Sequence, residues 1–223
     1  MRARHVAASA LVLAGLVVGG GGIASAADPV SIGGGSPVVI ADRSICTVTA
    51  VGTDDAGRSV GLTAGHCGGP GDAVAPEWDR DRVVGRVVRV VPDFDAAVIE
   101  FVPGAARLVA TVGETTIAGV GAPPSFGDAV CKQGRSTGRT CGLTVGDVLG
   151  TQQAFSGLCV GQGDSGAPVV EGNAVIGMVN AYLGVPCVGP AVVTTMESIV
   201  REVTRTGGPG AGFRPIGQAV PVS

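Results

Sequence analysis

Short apolar runs, rich in valine and broken by turn residues, fill most of the chain. They include Val38–Ile40, Ile45–Val51, Val60–Thr63, Val83–Val91, Ala96–Val102, Val109–Ile117, Leu143–Leu149, Pro168–Val170 and Ala174–Asn180. The breaks carry Gly, Asp, Asn or Pro, as in Asp54-Asp55-Ala56-Gly57. Glu171-Gly172-Asn173 reads as a tight hairpin. Many short strands in this rhythm predict an all-β barrel or sandwich, and the missing βαβ alternation argues against a parallel α/β sheet. Hydrophobic residues are 45% of the chain but aromatics only 3%, so the core must be assembled from small and β-branched side chains.

One helix is expected. Thr194 and Glu197 have the spacing of a capping box, and Met196, Ile199, Val200 and Val203 follow on one helical face. Beyond Arg205 the chain reads Gly-Gly-Pro-Gly-Ala-Gly and then a polar, proline-containing stretch, so residues 207–223 are expected to be a disordered tail. The Pro/Gly-rich stretch Gly119–Gly127 divides the strand-rich part into two halves, 27–118 and 119–206.

At the start, Arg2 and Arg4 precede an apolar run from Val6 to Ile23, and Ala24-Ser25-Ala26 follows with signal-peptidase spacing. Residues 1–26 are therefore expected to be a signal peptide, with an uncleaved membrane anchor as the alternative. No later stretch has membrane-spanning length. The expected location is extracellular, with no stable membrane insertion after cleavage. The formal charge of −3, with scattered Lys and Arg, offers no nucleic-acid footprint. A monomer is the default expectation.

Six cysteines follow the signal: Cys46, Cys67, Cys131, Cys141, Cys159 and Cys187. An even count in an exported chain reads as three disulfides, with fifteen possible connectivities. Spacing favours sequential neighbours: 46–67, 131–141 and 159–187. A metal site is a poor alternative, because no CxxC occurs and only His66 remains after the signal. No cofactor is implied.

Two segments carry candidate chemistry. His66 lies in Leu62-Thr63-Ala64-Gly65-His66-Cys67, directly after an expected strand. Ser165 lies in Gly161-Gln162-Gly163-Asp164-Ser165-Gly166-Ala167-Pro168, where flanking glycines allow a sharp turn and close backbone approach. Either segment alone reads as well as a structural histidine or an ordinary Gly/Ser turn. Together they supply the hydroxyl and the base that acyl transfer needs; a buried carboxylate would hold the base in one tautomer.

These segments resemble the chymotrypsin-like serine proteases, in particular their bacterial secreted branch, the α-lytic protease and streptogrisin type. Thr63-Ala64-Gly65-His66-Cys67 is similar to the family's histidine motif, Asp95-Ala96-Ala97-Val98-Ile99 to its aspartate motif, and Gly163-Asp164-Ser165-Gly166 to its nucleophile motif, with Ala167 where many members have glycine. The loop from Cys131 to Gly142, and Cys159 six residues before Ser165, also resemble that branch. The resemblance covers roughly residues 32–200. It implies two six-stranded antiparallel barrels and supports the sequential disulfides. It implies a triad of His66, Asp95 and Ser165 acting on a peptide or protein substrate, and an oxyanion hole from the backbone N–H groups of Gly163 and Ser165. Asp93 competes with Asp95, which holds the motif position. The order His, Asp, Ser excludes an α/β-hydrolase, whose histidine follows its serine.

The chain also departs from the family. Lys132 stands where that branch has an arginine pairing with the aspartate beside the nucleophile, and Arg135 is a second candidate partner for Asp164. The family's place for an acid in enzymes cleaving after Lys or Arg is occupied here by Ser156-Gly157-Leu158. Leu158, Asn180, Ala181 and Tyr182 are the expected substrate-binding residues, Tyr182 narrowing the pocket mouth, and small or medium apolar side chains are the expected preference. An activating cleavage before Ile32 and a non-proteolytic partner-binding protein are the alternatives these departures leave open.

Overall fold

A computed structural model describes residues 28–147 and 150–217. The expected signal peptide lies outside them. The first lobe contains β1 (Val30–Ile32), β2 (Pro37–Ile40), β3 (Ser44–Thr47), β4 (Ala50–Thr53), β5 (Ser59–Ala64), β6 (Ala73–Pro76), β7 (Gly85–Val91), β8 (Ala96–Phe101), β9 (Ala106–Leu108), β10 (Thr111–Val112) and β11 (Thr115–Thr116). The second contains β12 (Gly119–Val120), β13 (Ala129–Gly134), β14 (Gly138–Gly146), β15 (Gln153–Ser156), β16 (Pro168–Glu171), β17 (Ala174–Tyr182) and β18 (Ala191–Thr195). Helix α1 (Met196–Arg205) and β19 (Arg214–Pro215) complete the chain.

The second lobe closes. Its ladder runs β17-β16-β13-β14-β15-β18, and β18 pairs back onto β17, making a six-stranded antiparallel barrel to which β12 adds in parallel. The first lobe is a half-barrel ladder of order β19-β4-β5-β8-β7-β6-β2-β3, so the expected pair of antiparallel β lobes is present, the second closed and the first open. β3, at one end, and β4, next to β19 at the other, are successive parts of one bent run. The first part pairs with β2 and the second with β5. The bend at Val48 and Thr49 is where this lobe meets the nucleophile segment.

The core follows the composition. Val38, Val48, Val60, Val74, Val84, Val87 and Val98 are fully buried in the first lobe. The same cluster takes in Met178 of β17 and Met196, Ile199 and Val203 of α1, so the helix docks through the face read from its periodicity. Each such side chain removed from water contributes on the order of 1.5–3 kcal/mol. The predicted capping box is corrected: Thr195, not Thr194, is the N-cap, and its hydroxyl donates to Ser198 Oγ at 2.8 Å. Thr194 cannot leave the sheet, because its residue pairs with Met178 and its N–H donates to Asn180 Oδ1. At the other end Arg89 donates to the carbonyls of Val203 and Gly207 at 3.0 and 2.6 Å, placing a cation at the helix C-terminus.

The tail is also corrected. Residues 207–217 return to the first lobe, where β19 pairs with β4 and Phe213 is 4% exposed. Gly210 N–H donates to the buried carboxylate of Asp54, and Asp55 N–H to Ala211 O. The glycines that read as flexibility are requirements of contact. A Cβ on Gly210 would lie 2.9 Å from a Val203 methyl, and Gly210 holds φ of +86°, a region few other residues adopt. Replacing Phe213 by Ala is expected to destabilise the protein by about 3–5 kcal/mol, read as a lowered urea midpoint; an unchanged midpoint would restore the disordered tail.

Candidate active site

The site is built where β5, the β7–β8 turn and the loop before β16 converge. Strand β5 ends in a single helical turn, Gly65–Cys67, and the Cys46–Cys67 disulfide fastens that turn to β3. Asp95 caps the turn Pro92–Phe94 in the left-handed region, with φ of +43°. A non-glycine residue there is held by its surroundings. Its carbonyl accepts Gly65 N–H and its carboxylate accepts His66 N–H through Oδ1, both at 2.8 Å. His66 Nδ1 lies 2.8 Å from Asp95 Oδ2, and His66 Nε2 lies 2.9 Å from Ser165 Oγ. Asp93 stays exposed on the preceding turn. The structure thus brings His66, Asp95 and Ser165 into one hydrogen-bonded chain.

Electrostatics assign the proton. The hydrogen bond to Asp95 raises the His66 pKa above its ordinary value against the opposing effect of burial. Burial pushes Asp95 up, but the bonds from His66 and Asn180 outweigh it and hold the carboxyl below its ordinary range. Asp95 therefore accepts, Nδ1 carries hydrogen, and Nε2 of the neutral ring is free to accept from the serine hydroxyl.

Asn180, expected among the substrate-binding residues, bonds the aspartate through its side chain. Its Nδ2 donates to Asp95 O and Oδ2 at 2.9 and 3.0 Å, and the residue is 6% exposed. Leu158 is buried in the second-lobe core, where it borders a separate hollow of about 370 Å³. Ala181 is exposed and Tyr182 half-buried against that core. The cavity of about 500 Å³ that opens on Ser165 and His66 is bounded instead by the Cys46–Cys67 disulfide, Arg43, Arg135 and Gln162.

The segment bearing Ser165 is held from beneath by Asp164, which has no solvent exposure. Asp164 Oδ1 accepts the N–H groups of Ser136 and Thr137 at 2.7 and 3.3 Å; Oδ2 accepts Gly161 N–H at 3.0 Å and the Thr137 hydroxyl at 2.6 Å. Of its two candidate cations, Lys132 provides the ion pair at 3.5 Å, itself fully buried. Arg135 turns to Glu77 instead. Gly163 adopts φ of +98°. Among the described residues, the N–H groups of Gly163 and Ser165 have no hydrogen-bond partner, which leaves both available to an incoming oxygen. Cys131–Cys141 links β13 to β14, and Cys159–Cys187 ties the segment before Ser165 to the loop between β17 and β18. No group of three or more His, Cys, Asp or Glu able to hold a metal occurs among the described residues.

Sequence reasoning assigned no role to Thr47, Ser136, Thr137 and Glu77, whose partners are far away in the chain, although Ser136 and Thr137 lie in the Cys131–Gly142 loop singled out above. Removing Lys132 leaves a buried, unpaired carboxylate. Lys132→Ala is therefore expected to cost about 3–5 kcal/mol of stability by denaturant unfolding, and parent-like stability would show that the neutral donors suffice.

No family model matches the chain. An uncharacterized protein of Mycobacterium tuberculosis is 29% identical over 177 residues, covering 73% of this chain and 76% of the relative. Among solved structures, the Nocardiopsis protease NAPase is 26% identical with a TM-score of 0.63, covering 77% of this chain and 96% of its own. The chymotrypsin of Cellulomonas bogoriensis is 26% identical with a TM-score of 0.64, covering 83% and 98%. In its paired lobes, strand order and C-terminal helix, the chain carries the chymotrypsin-like fold, in the form found in bacterial chymotrypsin-like serine proteases.

Proposed function

We propose that the chain is a secreted serine endopeptidase with His66, Asp95 and Ser165 as its triad. The observation that carries this reading is the hydrogen-bonded chain Asp95–His66–Ser165, with contacts of 2.8 and 2.9 Å, beside two unpaired backbone N–H groups. Export is supported by the signal-like residues 1–26 and by three disulfides, which persist in oxidising compartments.

In this mechanism the proton of the Ser165 hydroxyl passes to His66 Nε2 while Oγ bonds to the scissile carbonyl carbon. The carbonyl oxygen becomes an oxyanion and is received by the N–H groups of Gly163 and Ser165. Such donors are worth about 10²–10³ in rate. Asp95 stabilises the imidazolium formed at His66. His66 then gives its proton to the leaving amine nitrogen as the C–N bond breaks, and an acyl ester remains on Ser165. A water molecule repeats the sequence: His66 removes its proton, its oxygen attacks the ester, and the carboxylic acid product leaves as Ser165 recovers its proton.

Labelling of the purified protein by a fluorophosphonate, read by intact mass, is expected at one site and to vanish in Ser165→Ala. A folded parent with all three disulfides that takes no label would defeat the proposal. The pH profile follows from the charge state of His66. Only the neutral ring can accept the proton, so kcat/KM should rise with pH through a midpoint above the ordinary imidazole value. The stabilising contact of charged His66 with Asp95 is present at low pH and is lost as pH rises through that same midpoint, so activity and this contribution to stability trade places. Asp95→Asn is expected to lower kcat by about 10⁴ and to bring the midpoint down. A midpoint unmoved by that substitution would dissociate Asp95 from His66.

A further inference from the structure

The oxyanion hole lies on an irregular segment, residues 161–166, and two hydroxyls from outside that segment hold its peptide planes. The N–H of Gly163 belongs to the same rigid unit as the carbonyl of Gln162, and in a trans peptide the two point in opposite directions. Whatever holds the Gln162 carbonyl therefore aims the Gly163 N–H. That carbonyl accepts the hydroxyl of Ser136. The next carbonyl, Gly163 O, accepts the hydroxyl of Thr47 at 2.9 Å, and Thr47 N–H donates to Ser165 O at 2.8 Å.

Both hydroxyls are themselves fixed. Thr47 Oγ1 accepts Arg135 N–H at 3.1 Å, and Thr47 is fully buried at the bend between β3 and β4. Ser136 sits on the β13–β14 turn, where its N–H donates to Asp164. That turn is tied to the first lobe by Arg135, which grips Glu77. Glycine at position 163 is the residue least able to resist rotation. Without these restraints the Gln162–Gly163 unit is free to turn its carbonyl toward the place of the oxyanion.

We propose that Ser136 and Thr47 are positioning residues for the oxyanion hole, locking the two peptide units on either side of Gly163 so that its N–H faces the cleft. The proposal rests on the peptidase reading above. It makes the hole a product of both lobes: the donors come from the second, and Thr47 comes from the first.

The test compares the parent with Ser136→Ala, Thr47→Val, Ser136→Thr and Thr47→Ser. Ser136 is exposed and valine matches threonine in shape, and thermal unfolding checks that each variant folds. Loss of either hydroxyl is expected to lower kcat by about tenfold with KM unchanged, and the conservative variants are expected to retain most of it. Affinity for a peptide aldehyde, whose hemiacetal oxygen occupies the hole, should fall in parallel with kcat. Folded Ser136→Ala and Thr47→Val proteins with parental kcat and aldehyde affinity would overturn the proposal. A crystal structure of Ser136→Ala gives a readout that needs no turnover: the Gln162–Gly163 peptide is expected to rotate or to split between two orientations, and a single unchanged orientation would overturn the proposal. A parent that neither labels nor turns over would defeat the peptidase reading, while the crystallographic outcome would still decide this one.

Discussion

A carboxylate without solvent exposure organises the second half of this molecule. Asp164 draws the N–H groups of Ser136, Thr137 and Gly161, the Thr137 hydroxyl and the ammonium of Lys132 toward one point. A buried charge tolerates no loss of partners, because desolvation is recovered only through its complete set of bonds. The hairpin turn between β13 and β14 and the nucleophile segment are therefore fixed relative to each other. Lysine in the cation's place supplies charge without a planar fork. Its remaining hydrogens go to Thr137 Oγ1 and Gly138 O, and the turn closes around them.

The rest of the fold is a solution to a thin core. With valine and alanine where larger chains use aromatics, each buried residue contributes little area. Cross-links make up part of the difference. The three disulfides close loops with sequence separations of 21, 10 and 28 residues, each worth roughly 2–4 kcal/mol. Their placement also serves the site: one pins the His66 turn, one spans the hairpin whose turn holds Asp164, and one ties the segment before Ser165 to the loop beyond β17. The returning C-terminal segment adds Phe213, one of the few aromatic side chains buried in the first lobe.

The site itself lies on a seam. His66 and Asp95 come from the first lobe, Ser165 and Asn180 from the second, and the bonds from His66 to Ser165 and from Asn180 to Asp95 cross it. Asn180 illustrates how chemistry and packing share one residue. Its amide nitrogen bonds Asp95 while its oxygen accepts Thr194 N–H, so the aspartate is oriented by the β17–β18 ladder. Threonines play the same double part. Thr47 and Thr49 belong to a buried strand bend, yet their hydroxyls hold the carbonyls of Gly163 and Gly166.

What the sequence determined by itself was local or motif-bound: the strand rhythm, the helical face of Met196, Ile199 and Val203, the sequential pairing of cysteines, and the short segments around His66, Asp95 and Ser165. These are legible because strand alternation, helical period and glycine turns act over a few residues. Tertiary structure decided the rest. It put Lys132 rather than Arg135 on Asp164, moved the helix start from Thr194 to Thr195, docked the glycine-rich segment 207–217 on the first lobe, and set the Asn180 amide on the aspartate. Each of these outcomes depends on a partner tens of residues away, or on sheet pairing that outweighs a local cap. Thr47 shows the limit most clearly: nothing in its own neighbourhood distinguishes it, and only the folding of one lobe against the other places its hydroxyl on the Gly163 carbonyl.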